Sequence, residues 1–243
     1  MFWFDLTWEM VRKLDKENVF VILPIGSCEQ HSLHLPLGMD TYSAYLLSID
    51  VAKAFEGKGL VLPPIWYGAS EHHMDFDGTI TLKHETLMIL VYDIVASLKK
   101  HGFSKIVIIN GHGGNTDPLK VAIRKIRDEL GVSVLLINPW ELIRDFIEEV
   151  LESKIWGHAC EFETSIALRI IPEKVVRDKI VDPELNIKAH ERIEKFIYPW
   201  HTKEITNTGS IGYPSKASYE KGERLYNEML RKTIEHIKNF IGS

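Results

Sequence analysis

The stretch LPIGSCEQHSLHLPLGMD (23–40) carries Glu29, His31, His34 and Asp40 among two prolines and two glycines, so it is neither a plain helix nor a plain strand. Glu29 and His31 stand two apart, a spacing that puts both side chains on one face if the chain is extended. Asp40 closes the loop just before a helical pattern. Carboxylate, imidazole and carboxylate together suit Zn²⁺, Mn²⁺ or Fe²⁺ better than Ca²⁺, which takes oxygen shells. The competing reading makes Asp40 a helix cap and His31 a satisfied polar group.

Two further clusters follow. NGHGGN (110–115) sets three glycines around His112, which brings backbone close to whatever that histidine touches. A phosphate-cradling turn is the alternative, but the lysine of a P-loop and the spacing of a dinucleotide fingerprint are missing. WGHACEFETSIALRI (156–170) places His158, Glu161 and Glu163 at the head of an apolar helical stretch. Acids in a first helical turn also serve simply to balance the helix dipole. Cys28 and Cys160 lack C-x-x-C spacing and read as small packing residues. His72, His73 and His84 read as lining a loop or facing solvent. Trp156 is a candidate pocket wall, with plain packing as its alternative, and 67–77 is a candidate specificity loop.

The elements that must position these residues follow from periodicity. Strands are expected over 19–26, 59–65, 105–110 and 132–138. Helices are expected over 8–17, 41–55, 84–102, 117–130, 141–152, 185–197 and 219–240. Strands alternating with helices predict parallel βαβ units, an α/β sheet covered on both faces. Loops after parallel strands leave the same sheet edge, so 26–40 and 110–115 meet in space there.

Composition narrows the function. The chain has 243 residues, 45% hydrophobic and 26% charged, with net charge −5. That is ordinary globular composition and fits one domain spanning 1–243. An acidic balance without Lys/Arg runs argues against nucleic acid and anionic membranes as partners. No apolar run is long enough to span a bilayer. The N-terminal segment lacks a signal peptide's positive start and cleavage site. With two cysteines, a reducing, cytoplasmic setting is expected.

The quoted motifs, E29-Q-H31…H34-L-P-L-G-M-D40, N110-G-H-G-G-N115 and H158-A-C-E-F-E-T-S165, resemble the signatures of the creatininase (creatinine amidohydrolase) family, and GSIGYPSKASYEKGE (209–223) resembles its C-terminal segment. The resemblance runs over nearly the whole chain. It implies a three-layer αβα sandwich around a mainly parallel sheet. It also implies a hydrolase with two divalent metal ions per subunit (Zn, Mn or Fe), acting on a small-molecule substrate, in a homohexamer. By the same resemblance, Glu29, His31, Asp40 and His112 match metal ligands, Asp40 bridging, and His158 matches a proton-transfer histidine. The chain departs from the family at Ser32-Leu33, where Gly-Pro is usual, and at Cys160, where glycine is usual. The creatinine-hydrolysing member also carries a glutamate ligand where this chain has Gly114.

The function expected on that basis is hydrolysis of a cyclic amide, formamide or related carbonyl compound. A metal lowers the pKa of bound water towards ~7, the resulting hydroxide attacks the carbonyl carbon, and His158 protonates the leaving group. The alternatives are a keto-inositol hydrolase that cleaves a ring C–C bond, and a non-catalytic metal- or metabolite-binding member. With Gly114 unable to supply a carboxylate, one ion lacks a third protein ligand. If 158–165 is helical, Glu161 lies on the face of His158 and fills that place, while Glu163 supports a ligand histidine from behind.

Overall fold

A computed structural model describes residues 1–195 and 199–242. In chain order the first elements are α1 (Trp8–Lys13), β1 (Phe20–Ile25), α2 (Met39–Lys53), β2 (Gly59–Val61), α3 (His84–Lys100) and β3 (Lys105–Asn110). They are followed by α4 (Thr116–Leu130), β4 (Ser133–Ile137), α5 (Pro139–Leu142), α6 (Arg144–Val150), α7 (Glu161–Ile170), α8 (Ile187–Lys195) and α9 (Tyr219–Gly242). The four strands form one parallel sheet in the order β2-β1-β3-β4.

Every residue of β1 is buried. Side chains alternate across a strand, and here both faces are covered. Phe20 and Ile22 join one apolar cluster with α2, α6, α7 and α9; Val21, Leu23 and Ile25 join a second with α3 and α4. β3 divides the same way, Val107 and Ile109 against Ile106 and Ile108. The result is the three-layer αβα sandwich. Each large apolar side chain buried in it contributes about 1.5–3 kcal/mol.

Several boundaries differ from the sequence expectation. β2 stops at Val61 because Pro63 and Pro64 have no N–H for a ladder. The helix expected over 8–17 ends at Lys13, where Leu14 is extended. The helix expected over 141–152 breaks at Ile143 into α5 and α6. The helix after the 156–160 segment begins at Glu161, because Ala159 is left-handed (φ 46°) and Cys160 is extended. Of the helix expected over 185–197, residues 196–197 lie outside the described residues.

The sheet edge where the two histidine loops meet is tightly set. Ile25 pairs with Asn110, and Gly111 N–H donates to the Ile25 carbonyl at 2.8 Å. A Cβ on Gly111 would stand 2.2 Å from the Asp40 carbonyl oxygen, so only glycine lets the first turn of α2 close on the end of β3. No helix among the described residues is long and apolar enough to cross a membrane.

Candidate metal centre

Glu29 and His31 come from the loop after β1, Asp40 from the first turn of α2, and His112 from the loop after β3. His158 and Glu163 come from the entrance to α7. Glu29, His31, Asp40, His112 and His158 are buried; Glu163 is partly exposed. Three groups have donor atoms close enough for a common ion: Glu29–Asp40–His112, His31–Asp40–Glu163 and Glu29–His31–His158. Asp40 belongs to two of them. Its Oδ1 lies 3.0 Å from His31 Nε2, and its Oδ2 lies 3.2 Å from His112 Nδ1. His112 Nδ1 also lies 3.2 Å from Glu29 Oε1.

Hydrogen bonding fixes which nitrogen each imidazole offers. A backbone carbonyl can only accept, so a ring nitrogen bonded to one carries hydrogen. His31 Nδ1 donates to the Glu29 carbonyl (3.2 Å), His112 Nε2 to the Ala69 carbonyl (3.1 Å), and His158 Nε2 to the Gln30 carbonyl (2.6 Å). The opposite nitrogens all face the carboxylate cluster, the arrangement that a second shell gives ligand histidines. Ser27 Oγ donates to Glu29 Oε2 (2.9 Å) and is itself paired with Ser70 Oγ, which leaves Glu29 Oε1 turned inward. Glu29 Oε1 and Asp40 Oδ2 are buried with no hydrogen-bond partner. Such atoms cost about 1–3 kcal/mol each, and a divalent cation between them would satisfy both. The donor set therefore fits the expected metal.

Charge follows the same geometry. Burial opposes a charge on His31, but the Asp40 carboxylate outweighs it and carries the imidazole up to about 10. His112 is raised well above its usual range, the Glu29 carboxylate overcoming burial. Burial would raise Glu29 and Asp40, yet the facing His112 and His31 hold them below the ordinary carboxylate range. Burial pushes Glu163 up to about 7, against the pull of His31 and with help from Asp40. Burial and the neighbouring His31 push His158 well below its usual value.

The structure corrects the reading of the α7 entrance. Glu161 is not in the cluster. Its carboxylate accepts from the backbone N–H of Glu152 (3.1 Å) and Ser153 (2.9 Å) and pairs with Lys221 Nζ. Glu163 faces the cluster instead, with Oε2 4.0 Å from His31 Nε2 and a hydrogen bond from Ala159 N–H. The expectation assumed a helix through 158–161; the left-handed Ala159 turns the chain before α7 begins, so helical spacing does not relate His158 to Glu161. At Gly114, a Cβ would stand 2.3 Å from the Ala69 carbonyl and 2.5 Å from His112 Nε2, so this loop conformation has no room for a side chain.

His73 was missed. The sequence places it with its neighbours along a loop or in solvent, yet it is buried with Nε2 3.4 Å from Glu29 Oε1. His72 is half-buried and stacks on His112, and His84 is exposed at the cleft rim. Ser27 and Ser70 were also missed; nothing in their spacing marks them. Cys160 is buried, its thiol pushed up to about 12, a packing residue as expected. Trp156 lines a side chamber of about 390 Å³, with the Arg144 guanidinium 5.1 Å over its ring.

A cleft of about 1080 Å³ opens over the cluster. His72, His73 and Trp200 line it, and so do the carboxylates of Glu71 and Asp117. Among the described residues its wall carries no lysine or arginine.

Residues 4–237 match the family model for creatininase, described as creatinine amidohydrolase. The mycofactocin precursor peptide peptidase of Mycolicibacterium smegmatis is 30% identical over 94% of this chain and 88% of its own length. The creatinine amidohydrolase of Pseudomonas putida is 28% identical over 96% and 95%. Among solved structures, a putative creatinine amidohydrolase from Bacteroides fragilis superposes with TM-score 0.85 at 27% identity, covering 100% of this chain and 97% of the other. A mutant creatininase of Zn-Zn type gives TM-score 0.81 at 26% identity, with 98% of each chain covered.

Proposed function

Since the chain belongs to the creatininase family and is a metal-dependent hydrolase of the amidohydrolase type, we propose that it holds two divalent ions side by side and cleaves an amide bond in an unphosphorylated, peptide-like or substituted amide. The observation that carries the dinuclear reading is Asp40, whose two oxygens face two different histidines. Glu29, Asp40 and His112 would hold one ion, and His31, Asp40 and Glu163 the other. The Zn-Zn type of the related creatininase supports this. Bound there, divalent ions supply Lewis acidity and make water acidic enough to ionise near neutral pH.

This chain's own residues do the rest. His158 donates its Nε2 hydrogen to Gln30, which keeps Nδ1 free and aimed at the cluster, 3.6 Å from Glu29 Oε1. That nitrogen can take a proton and return it to a leaving nitrogen. Ser27 and Ser70 hold Glu29 in one orientation. Glu71, in a described wall without lysine or arginine, disfavours a phosphate-bearing substrate, whereas Asp117 is paired with Lys120 at 3.4 Å. The cleft volume lies at the top of the usual ligand-site range, which favours a substrate larger than a single small ring.

The experiment is a turnover screen of zinc- or manganese-loaded protein over short peptides, N-formyl amines and cyclic amides, each with a phosphorylated counterpart. Chelator-sensitive hydrolysis of an unphosphorylated member is expected, with close to two ions per chain. Full activity at one ion would overturn the dinuclear reading. His158→Ala should keep its metal and lose roughly 10²–10⁴-fold in turnover; loss of metal instead would make His158 a ligand.

A further inference from the structure

His73 is oriented the opposite way from the other three histidines of the site. The Gln30 side-chain amide is fixed by two backbone groups of unambiguous role: its Oε1 accepts from Ser32 N–H at 2.8 Å, and its Nε2 donates to the Gly209 carbonyl at 3.1 Å. The second hydrogen of that Nε2 points to His73 Nδ1 at 2.8 Å. An amide N–H can only donate, so Nδ1 accepts. The Thr202 hydroxyl, which also reaches the His72 carbonyl, lies 3.0 Å from the same nitrogen. His73 is therefore a neutral imidazole with its hydrogen on Nε2, and Nε2 is the nitrogen that faces the site, 3.4 Å from Glu29 Oε1. Glu29 Oε1 lacks a hydrogen bond of proper geometry even so. The ring packs 4.3 Å from that of His158 and forms part of the cleft wall.

A metal ligand needs a nitrogen that can give up its proton, and His31, His112 and His158 each turn inward the nitrogen opposite the one bonded to a backbone carbonyl. His73 turns in the nitrogen that must keep its hydrogen, because Nδ1 accepts from Gln30. We propose that His73 is a hydrogen-bond donor to the oxygen of the substrate carbonyl, stabilising the negative charge that grows there, and that Gln30 is the positioning residue that holds it in the donating tautomer. Charge building on an oxygen beside fixed donors in a water-poor site is strongly stabilised, and removing one such donor costs about 10²–10³-fold in rate. Gln30 thus serves twice: its carbonyl sets His158 as a proton acceptor, and its side chain sets His73 as a donor.

This proposal rests on the hydrolase reading above, and its tests separate the two. The first needs no metal and no substrate. Long-range ¹H–¹⁵N spectra of histidine-labelled, metal-free protein should show His73 hydrogenated at Nε2 and bare at Nδ1; the reverse tautomer would overturn the proposal whatever the enzyme does. Gln30→Glu replaces the amide donor with an acceptor and should move the hydrogen to Nδ1. The second test uses inorganic phosphate as a tetrahedral oxyanion probe on zinc-loaded protein. His73→Leu should keep the wild-type zinc content while weakening phosphate binding at least tenfold, and His73→Asn, which retains an N–H donor, should recover part of the loss. Unchanged phosphate affinity in His73→Leu, or loss of zinc from it, would overturn the proposal. If wild-type protein takes up one zinc or none, the dinuclear reading fails while the spectrum still reports on His73.

Discussion

Glu161 and Glu163 stand two residues apart in the first turn of α7 and point to opposite sides of it: Glu161 meets Lys221, and Glu163 faces His31. The two carboxylates have different surroundings and should fail differently. Glu163→Ala is expected to lose about one metal equivalent by elemental analysis, while the metal-free protein loses only about 1 kcal/mol, for the single backbone hydrogen bond from Ala159 N–H. Glu161→Ala should keep its metal and lose about 2–3 kcal/mol in denaturant unfolding, since it strands the backbone N–H groups of Glu152 and Ser153 and takes one carboxylate from Lys221, whose ammonium keeps Glu152 and the Lys216 carbonyl. Exchange of the two phenotypes would reverse the assignment.

Metal uptake should release protons. In the metal-free protein His31, carried up to about 10, and His112, held well above its usual range, are protonated at neutral pH, and Glu163 at about 7 is partly so. A ligand must shed its proton to bind. Apparent metal affinity should therefore rise with pH from 6 to 9. Calorimetric titrations in buffers of different ionisation enthalpy should give a release of about two protons or more per chain at saturation; no dependence on buffer would contradict this.

His34 should make the fold acid-sensitive. Its Nε2 bonds Thr164 Oγ1 at 2.8 Å, and burial, with the His31 charge nearby, pushes it down to about 4. Above the unfolded value near 6.5 neither state carries the proton and this position costs nothing. As pH falls from about 6.5 to 4 the unfolded chain binds a proton that the folded chain refuses, so stability drops, on the order of 2–3 kcal/mol over that window. Below 4 both states are protonated and the loss levels off. Urea unfolding of metal-free wild type and His34→Gln across this range should show wild type losing more; parallel curves would remove His34 from the account.

Ser32 offers a stabilising change. It is left-handed at φ 57°, and its hydroxyl is buried without a partner. A left-handed residue with a Cβ costs roughly 1–2 kcal/mol, which glycine avoids. Ser32→Gly should raise stability by about 1 kcal/mol, less the extra freedom glycine gains when unfolded. Unchanged or lower stability by thermal unfolding would show that the loop has already absorbed the strain.

The sheet and the two histidine loops were legible in the sequence because their signals are local: an apolar run ended by Pro24 and Gly26, and glycines packed around His112. The glutamates of α7 were misassigned because the outcome hangs on one backbone angle at Ala159, a residue with no preference for the left-handed region. His73 was misread because its burial and tautomer are set by Gln30 and Thr202, 43 and 129 residues away in the chain. No window of sequence contains such contacts. Ser32 is the opposite case: the resemblance puts glycine there, and the backbone angle says why.

The reach of His158 back to the Gln30 carbonyl, across 128 residues, also bears on how the protein is made. Contacts of such separation close late, after the local strands and helices have formed. A chain leaving the ribosome presents Glu29, Asp40 and His112 as soon as β1, α2 and β3 have assembled. It gains Glu163 only when α7 has emerged and docked. If the chain holds two ions as proposed, the order of synthesis becomes an order of loading: one site would be complete on the growing chain, and the other only on the nearly finished one.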